Sequence, residues 1–362
     1  MLNFTVSRRL FALPLLIVAM TINAQPITTP RTPSPAATVS QTIGISTVSV
    51  NYSRPSVKGR KVWGNLVPFG YNKQAFGLGN EAPWRAGANE NTVIKLSHPA
   101  KIEGHDVPAG EYGLFFVINE DNTGEVILSK DSRSWGSFFY IADHDLFRSK
   151  ITTREIAPTE MLTYDFQNLT KTSAELVLNW EKKQFPVKVE FDVDNIVMAN
   201  AAQELKGPTG FNWQGFASAA NYAVANKVNY DQALIWIDRA ILISPNFQTL
   251  STKAALLKAT ANTTQFDSLM REAVAVGSEN ELNAYGYQLL NDKQYDRAIE
   301  VFIVNTQKHP KSANTFDSLG EAYATKGDKK NAIASFKKSL SMNPPEATKQ
   351  NSEKYLKQLG SM

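Results

Sequence analysis

The stretch from residue 313 to residue 344, ANTFDSLGEAYATKGDKKNAIASFKKSLSMNP, decides the architecture of the last third of the chain. Its apolar residues recur at intervals of three and four, which is typical of amphipathic helices. Gly327 interrupts the pattern near its midpoint and Pro344 ends it, so the stretch predicts two helices joined by a short turn. Gly320 and Ala332 are small, as residues must be where paired helices approach closely. We therefore expect an α-helical hairpin here.

The same pattern occurs earlier in the chain. Pro310 and Pro344 are 34 residues apart, and Pro245 has a similar context. The positions that align with these prolines are Phe316, Leu319, Gly320, Tyr323, Ala332 and Phe336; Leu282, Tyr285, Gly286, Leu289, Ala298 and Phe302; and Ala217, Ala220, Val224, Ala233, Ile237 and Ala240. In period and positions, residues 213–344 resemble the tetratricopeptide repeat family.

This resemblance implies an α-helical solenoid over residues 213–345, followed by a capping helix and tail over residues 346–362. Pro245 and Pro310 are 65 residues apart, which leaves room for a degenerate second pair. Each pair exposes an apolar face that only its neighbour buries, so several pairs are needed for stability. A solenoid of this family implies a protein or peptide partner. Docking of the concave face on the rest of the chain is the alternative.

Residues 42–193 alternate between apolar and polar side chains with period two, and turn-forming residues punctuate the runs at short intervals. Val187, Val189 and Phe191 share one face, with Lys188 and Glu190 on the other. Such patterning predicts antiparallel strands, hence an all-β sandwich or jelly-roll domain. We also expect a turn at residues 182–184, between a run over residues 174–180 and the strand before Val193. Residues 194–212 are predicted as a connector.

The first 24 residues have the pattern of a secretory signal peptide. Arg8 and Arg9 precede an apolar run of about 11 residues, and Ala24 offers a cleavage point. An uncleaved anchor is the alternative, although a span needs about 20 apolar residues. Residues 25–41, rich in Pro and Thr, are predicted as an extended linker. We therefore expect an exported protein, periplasmic or extracellular, with envelope association left open and no transmembrane span in the mature chain.

Composition narrows the function further. The 362 residues include no cysteine, which excludes disulfides, thiolate catalysis and cysteine-bound zinc. Loss of Arg8 and Arg9 with the signal peptide lowers the formal net charge from +4 to +2, which argues against nucleic-acid binding. The four histidines predict no metal site, and we expect no cofactor. The sequence contains neither a P-loop nor a Gly-x-Ser-x-Gly nucleophile elbow.

Two polar segments of the β-region do not follow the strand pattern. Together with a third motif they read Arg54-Pro55, Lys58-Gly59-Arg60, Trp84-Arg85, Gly87-Ala88-Asn89-Glu90 and Pro108-Ala109-Gly110. This combination, within residues 46–193, closely resembles the bacterial domain-of-unknown-function family 2911. The resemblance implies an all-β fold and export, and it implies no established activity. Relative to that family, residues 72–83 look inserted, and they could cover or reshape a site.

These segments supply the candidate site residues: Arg54, Lys58, Arg60, Trp84, Arg85, Asn89 and Glu90. Guanidinium groups bind carboxylates and phosphates bidentately, so the four cations are expected around an anion. Asn89 and Glu90 would orient hydroxyl groups, and Trp84 would stack on a sugar or aromatic ring. The alternative is purely structural, with Arg85 paired to Glu90 or Glu111 and residues 58–61 forming a solvated hairpin.

The sequence thus predicts an exported, non-catalytic binding or scaffold protein. Its β-domain would bind a small anionic or carbohydrate ligand, and its repeats would mediate protein–protein interaction. The alternative function is an extracytoplasmic hydrolase that acts on a glycan or ester through Arg85, Asn89 and Glu90. The absence of a catalytic motif favours the first interpretation.

Overall fold

The computed structural model describes residues 33–262 and 264–361. The predicted signal peptide, the alternative anchor and the first part of the predicted linker lie outside the described residues. Strands fill the first half of the described chain and α-helices the second, so the predicted fold class is confirmed.

The strands of the β-domain are β1 (Ala36–Ile43), β2 (Ser46–Ser53), β3 (Asn72–Lys73), β4 (Glu81–Ala82), β5 (Val93–Leu96), β6 (Ala100–Ile102), β7 (His105–Val107), β8 (Gly110–Ile118), β9 (Thr123–Ser129), β10 (Asp145–Thr152), β11 (Arg154–Gln167) and β12 (Ser173–Glu190). A six-stranded sheet has the order β1-β2-β5-β8-β9-β10, and a four-stranded sheet has the order β11-β12-β6-β7. All pairings in both sheets are antiparallel.

The two sheets bury one shared core. Leu114 and Phe116 of β8 contribute from the larger sheet, and Leu178 and Val187 of β12 contribute from the smaller one. All four side chains are buried, as the period-two pattern requires when one face of each sheet faces the other. The arrangement is therefore a sandwich.

The outer face of the larger sheet is also covered, in part by the segment that the sequence marked as inserted. Phe115 and Ile127 point away from the shared core and pack in a second cluster with Ala82 and Tyr140. Ala82 belongs to the short β3–β4 hairpin, whose strands pair Asn72 with Ala82. Residues 72–83 are thus built into the fold as a cover for this sheet face.

Two predicted boundaries in the β-domain are wrong. The linker does not extend to residue 41, because β1 pairs with β2 along its whole length, from Ala36 opposite Ser53 to Ile43 opposite Ser46. Its composition suggested an extended linker, but β-branched Thr and Val residues also suit an edge strand.

The turn predicted at residues 182–184 is wrong as well, because β12 runs unbroken through it. The inward-facing residues change parity between Trp180 and Phe185. The change occurs at Glu181, whose φ is +53° and beside which the register with β11 shifts. On each side of Glu181, β11 advances four residues while β12 advances two, so the strand pair is irregular here, and the left-handed backbone of Glu181 interrupts the alternation of facing in β12.

The predicted connector contains a helix that the sequence analysis missed, α1 (Val193–Glu204). Val193 and, in part, Ile196 pack on the sandwich core. Met198 and Ala201 pack on the first helical repeat. Lys171 strengthens the joint, because its Nζ lies 3.2 Å from an Asp194 carboxylate oxygen and donates to the Asn226 side chain.

The remaining helices are α2 (Trp213–Asn226), α3 (Tyr230–Ile243), α4 (Phe247–Ala259), α5 (Phe266–Val276), α6 (Glu279–Asn291), α7 (Tyr295–Lys308), α8 (Ala313–Lys326), α9 (Lys329–Leu340) and α10 (Glu346–Gln358). They form four hairpins and a final single helix. In the last hairpin a Cβ on Gly320 would lie 2.8 Å from the ring of Phe336. The same ring stacks on Tyr355 of α10, with ring centroids 5.1 Å apart.

Among the described residues, no helix has the length and apolar character needed to cross a membrane.

Candidate functional site

Five of the seven predicted site residues line a single cavity of about 540 Å³ in the β-domain: Lys58, Arg60, Trp84, Arg85 and Asn89. The cavity lies beside the 55–60 turn, the β3–β4 hairpin and the loop over residues 83–89, and Trp180 of β12 also lines it. The residues that the sequence analysis selected from two separate segments are therefore brought to one place.

Trp84 is held rigidly in the wall of this cavity. Its backbone N–H donates to the carbonyl of Phe116 over 2.9 Å, and its carbonyl accepts from the Phe116 N–H over the same distance. Its indole stacks on Trp180 at an interplanar angle of 18°, with centroids 5.8 Å apart. Trp180 is buried, and its indole Nε1 has no hydrogen-bond partner among the described residues. The wall is thus aromatic and preorganised.

Arg85 is partly buried and fixed in position. Its Nη1 donates to the backbone carbonyl of Asn89 over 2.6 Å, and its Cζ lies 4.7 Å from the ring centroid of Phe138. Burial lowers the pKa of the guanidinium below its ordinary value, because desolvation disfavours the charged form. In the described part of the chain, no carboxylate lies within ion-pair distance of Arg85.

Lys58 and Arg60 reach the cavity from a tight turn. Lys58 and Gly59 both have left-handed backbones, with φ of +49° and +68°. The N–H of Lys58 donates to a carboxylate oxygen of Glu160 over 2.9 Å. Arg60 closes the turn through bonds from its guanidinium to the carbonyls of Val57 and Ser56. Both cationic side chains are exposed, and neither forms an ion pair with a described carboxylate.

Asn89 contributes an amide oxygen. Its Nδ2 donates to the carbonyl of Ser34 over 3.4 Å and to Oγ of Ser53 over 3.3 Å. Its φ is +63°, a conformation that Asn tolerates better than most residues. Its Oδ1 accepts no hydrogen bond from the residues that the structure describes. This oxygen can therefore accept from a ligand hydroxyl.

Two predicted site residues do not line the cavity. Arg54 donates instead to the carbonyl of Leu162 over 3.0 Å and to Oγ1 of Thr163 over 2.6 Å, so it ties the end of β2 to β11. Glu90 follows Asn89 in the loop but is not part of the cavity wall. Sequence adjacency grouped these residues with their neighbours, whereas the direction of each side chain is set by the fold.

The carboxylate pairing that the structural alternative assigned to Arg85 is not found among the described residues. Glu111 forms its ion pair with Lys95, at 3.0 Å, and Arg85 has no ion pair with Glu90 or any other described carboxylate. The turn over residues 58–61 is solvated, as that alternative proposed, but two of its cations also border the cavity.

Several residues of the cavity wall are not among the predicted site residues. Asn72 and Gln74 come from the inserted segment, and their amides are the kind of group that binds hydroxyls. Ser137 comes from a 3₁₀ turn and donates to the carbonyl of Pro83 over 2.6 Å. Trp180 follows the strand pattern of residues 174–180, so its sequence context does not indicate a cavity. Only the insertion gave a signal, since it was expected to reshape a site.

Two of the four histidines have partners outside the cavity. His144 Nδ1 lies 2.8 Å from a carboxylate oxygen of Asp131, and His105 stacks on Phe147 with ring centroids 4.6 Å apart. No group of three or more His, Asp or Glu side chains within residues 33–262 and 264–361 is arranged to hold a metal ion.

Comparison with known families confirms both predicted resemblances. Residues 34–189 match the family described as "Protein of unknown function (DUF2911)", and residues 313–346 match a tetratricopeptide repeat family. The repeat match supports a protein-interaction scaffold. No curated protein matches the chain.

Solved structures that are similar to the chain include the following three. YrrB, described as "a TPR protein with an unusual peptide-binding site", is 18% identical, with 44% of this chain and 84% of that chain covered and a TM-score of 0.28. PilF of Pseudomonas aeruginosa is 20% identical, with coverages of 42% and 71% and a TM-score of 0.29. MamA is 15% identical, with coverages of 42% and 89% and a TM-score of 0.29.

Proposed function

We propose that this chain is an exported, non-catalytic scaffold protein whose β-domain binds a small anionic or carbohydrate ligand and whose repeats hold a protein or peptide partner. One observation carries the ligand-binding part. Lys58, Arg60 and Arg85 line one cavity with an indole and an amide, and no described residue of the cavity wall is acidic.

The charge balance of the wall supports a ligand rather than a structural network. Cations that serve packing are normally paired with carboxylates when they are partly buried. Arg85 is the partly buried cation of the three, and among the described residues it meets only the Asn89 carbonyl and the Phe138 ring, whereas Lys58 and Arg60 are exposed. The volume of about 540 Å³ lies within the range of roughly 300–1,000 Å³ that is usual for small-molecule sites.

The repeats provide the second binding function. Solenoid repeats present an extended surface, and each hairpin contacts chiefly its neighbours. Helix α1 packs on both cores, which joins the repeats to the ligand-binding domain. The protein would in this way connect a small ligand to a protein partner.

The export part of the proposal rests on the leader sequence. Arg8, Arg9 and the apolar run that follows have the order of a secretory signal. The mature protein would then act in the periplasm or outside the cell. Fractionation of cells that express the full-length chain, with N-terminal sequencing of the product, tests both export and cleavage after Ala24.

The hydrolase alternative lacks its acid–base group. A glycosidase of the usual kind needs two carboxyl groups at the bond that it cleaves. Glu90 does not line the cavity, and no other Asp or Glu of the described chain does so. A binding function therefore fits the site better than a hydrolytic one.

Ligand binding is tested by thermal shift of the mature chain against a panel of neutral sugars, acidic sugars and small organic acids. A hit is then incubated with the protein and analysed for turnover by mass spectrometry. Saturable stabilisation without turnover is expected. Turnover of the hit would contradict the non-catalytic proposal, and no stabilisation by any panel member would contradict ligand binding.

The partner function is tested by cross-linking the mature chain in an envelope fraction and mapping the linked peptides. Cross-links to one reproducible partner are expected on lysines of residues 213–345. Cross-links confined to the β-domain would contradict the role assigned to the repeats.

A further inference from the structure

We propose, on the basis of the proposed ligand-binding function, that the cavity selects an acidic sugar: a sugar ring that carries a carboxylate or phosphate group. Arg85 binds the anionic group and thereby determines specificity, and the Trp84 wall contacts the ring.

Arg85 is preorganised for this role. Its guanidinium lies between the Phe138 ring and Gly136, where any side chain would collide with Cζ, Nε and Nη1 of Arg85. One donor, on Nη1, is spent on the Asn89 carbonyl. Arginine has five N–H donors in a planar fork, so an unused edge remains for an anion. Little side-chain entropy is lost on binding, because the group is already immobilised.

The electrostatics of the cavity favours an anionic ligand over a neutral one. Arg85 is partly desolvated and faces no carboxylate in the described part of the chain. A partly buried charge without a counter-charge is unfavourable, and an anion relieves this more than a neutral hydroxyl does. Lys58 and Arg60, exposed on the adjacent turn, add positive potential that steers an anion into the cavity.

The rest of the wall suits a ring with hydroxyl groups. Trp84 is partly buried and lines the cavity, and its indole is held in place by stacking on Trp180, which lines the cavity as well. Asn72, Gln74 and Asn89 place amide groups around the same space. An anion alone would use the arginine but none of these groups.

Isothermal titration calorimetry of the mature chain tests the proposal with five probes: glucuronate, glucose 6-phosphate, glucose, acetate and inorganic phosphate. We expect at least one acidic sugar to bind at least tenfold more tightly than glucose and than the matching free anion. Glucuronate and glucose 6-phosphate distinguish a carboxylate from a phosphate. Raising the salt concentration should weaken the binding of the acidic sugar.

Variants then assign the anion to Arg85. Arg85→Gln should weaken binding of the acidic sugar at least tenfold, and Arg85→Lys should give an intermediate loss, because the charge stays but the fork does not. Lys182→Gln is the control for net charge, since Lys182 is exposed in the same domain outside the cavity. Its affinity should equal that of the wild type. If Arg85→Gln does not fold, the affinities of the wild type for the five probes still test whether the cavity selects an acidic sugar.

The outcomes separate this inference from the proposed function. Glucose binding as tightly as the acidic sugars, or a folded Arg85→Gln variant with unchanged affinity, would overturn the inference and leave the cavity as a ligand site. Acetate or phosphate binding as tightly as the acidic sugars would overturn the role of the ring. Absence of binding by all five probes would overturn the inference, and failure of the wider thermal-shift panel would overturn the proposed function as well.

Discussion

The missing side chain of Gly136 leaves the space that the guanidinium of Arg85 occupies. A Cβ on Gly136 would collide with three guanidinium atoms, and the φ of Gly136 is +57°. Both facts favour glycine at this position, because glycine leaves the space free for Arg85 and adopts a positive φ without strain. The 3₁₀ turn that begins at Gly136 and the loop that carries Arg85 are therefore matched parts of one wall.

We expect Gly136→Ala to destabilise the protein by about 2–4 kcal/mol, through about 1–2 kcal/mol of backbone strain and the rest from overpacking against Arg85. The matched control is Gly104→Ala. Gly104 has φ of +81°, but no atom lies within 4 Å of the position that a Cβ would take there, so only the backbone cost remains. Urea denaturation measures the loss in the free energy of unfolding for each variant. Equal losses in the two variants would show that the guanidinium does not need this space.

The segment that holds Gly136 is anchored by a polar cluster. Tyr140 donates from its hydroxyl to a carboxylate oxygen of Asp145, and Arg148 Nε donates to the same oxygen over 2.7 Å. Tyr140→Phe removes a donor from a carboxylate that is almost buried. We expect a loss of about 1–3 kcal/mol, since a buried acceptor is left without this partner.

Tyr230→Phe is the control for the Tyr140 variant, because the Tyr230 hydroxyl has no hydrogen bond among the described residues. Thermal unfolding should show a lower Tm for Tyr140→Phe and an unchanged Tm for Tyr230→Phe. If both variants melt like the wild type, the cluster does not hold the segment.

The sequence was informative where a pattern has one physical cause. Period-two alternation reflects a sheet with one face in the core, and the small residues at Gly320 and Ala332 reflect closely packed helices. Helix α1 was not predicted, because its apolar residues do not form a single stripe along the helix. Val193 and Ile196 contact the sandwich while Met198 and Ala201 contact the repeats. A helix buried on two sides has little amphipathic signal.

Only those parts of the candidate site that come from residues close together in the sequence could be predicted. Arg85 and Asn89 are close in sequence, and a hydrogen bond links them in the fold. Arg54 lies four residues before Lys58, yet its side chain turns to β11 because the carbonyl of Leu162 and the hydroxyl of Thr163 accept its donors. Arg54 and these partners are more than 100 residues apart in the sequence, so the residues around Arg54 do not indicate the contact.

The close approach of Gly320 to Phe336 predicts an unusual response to alanine. In a helix interior, Gly→Ala normally stabilises by about 1 kcal/mol through propensity. Here the new Cβ would lie 2.8 Å from two ring atoms of Phe336, so we expect Gly320→Ala to destabilise. Phe336→Leu in the same chain should relieve the clash, and a double-mutant cycle by urea denaturation measures the coupling. A stabilising Gly320→Ala would contradict the contact.

The docking of the last helix, α10, should depend on pH. Asp317 and Glu321 lie one turn apart on α8, and burial raises the pKa of each above its ordinary value. Asn351 donates to both carboxyl groups, and Ser352 donates to Asp317. Besides Asp317, the titratable groups that face Glu321 are Tyr287 of α6 and Lys354 and Tyr355 of α10. The hydrogen bond with Tyr287 and the charge of Lys354 lower the pKa of Glu321, and Tyr355 also shares a hydrogen bond with it.

The sign follows from the raised pKa values. The folded state holds protons on these carboxyl groups more tightly than the unfolded state, so their contribution to stability grows as pH falls and is lost as pH rises through the folded pKa. Hydrogen exchange of Glu346–Gln358, corrected for the chemical rate, should show greater protection at pH 5 than at pH 7. Glu175 behaves in the opposite way, because its pKa is lowered in the folded state. Its contribution to stability is lost only at pH values more acidic than those compared here.

Glu321→Gln removes one of the two charges and keeps an oxygen that can accept from Asn351. We expect it to reduce the difference in α10 protection between pH 5 and pH 7, because part of the proton uptake is lost. Glu300→Gln is the control, since Glu300 lies on α7, outside this cluster, and no interaction of its carboxylate with α10 is present. Equal protection of α10 in the wild type at both pH values would show that the docking does not depend on these carboxyl groups.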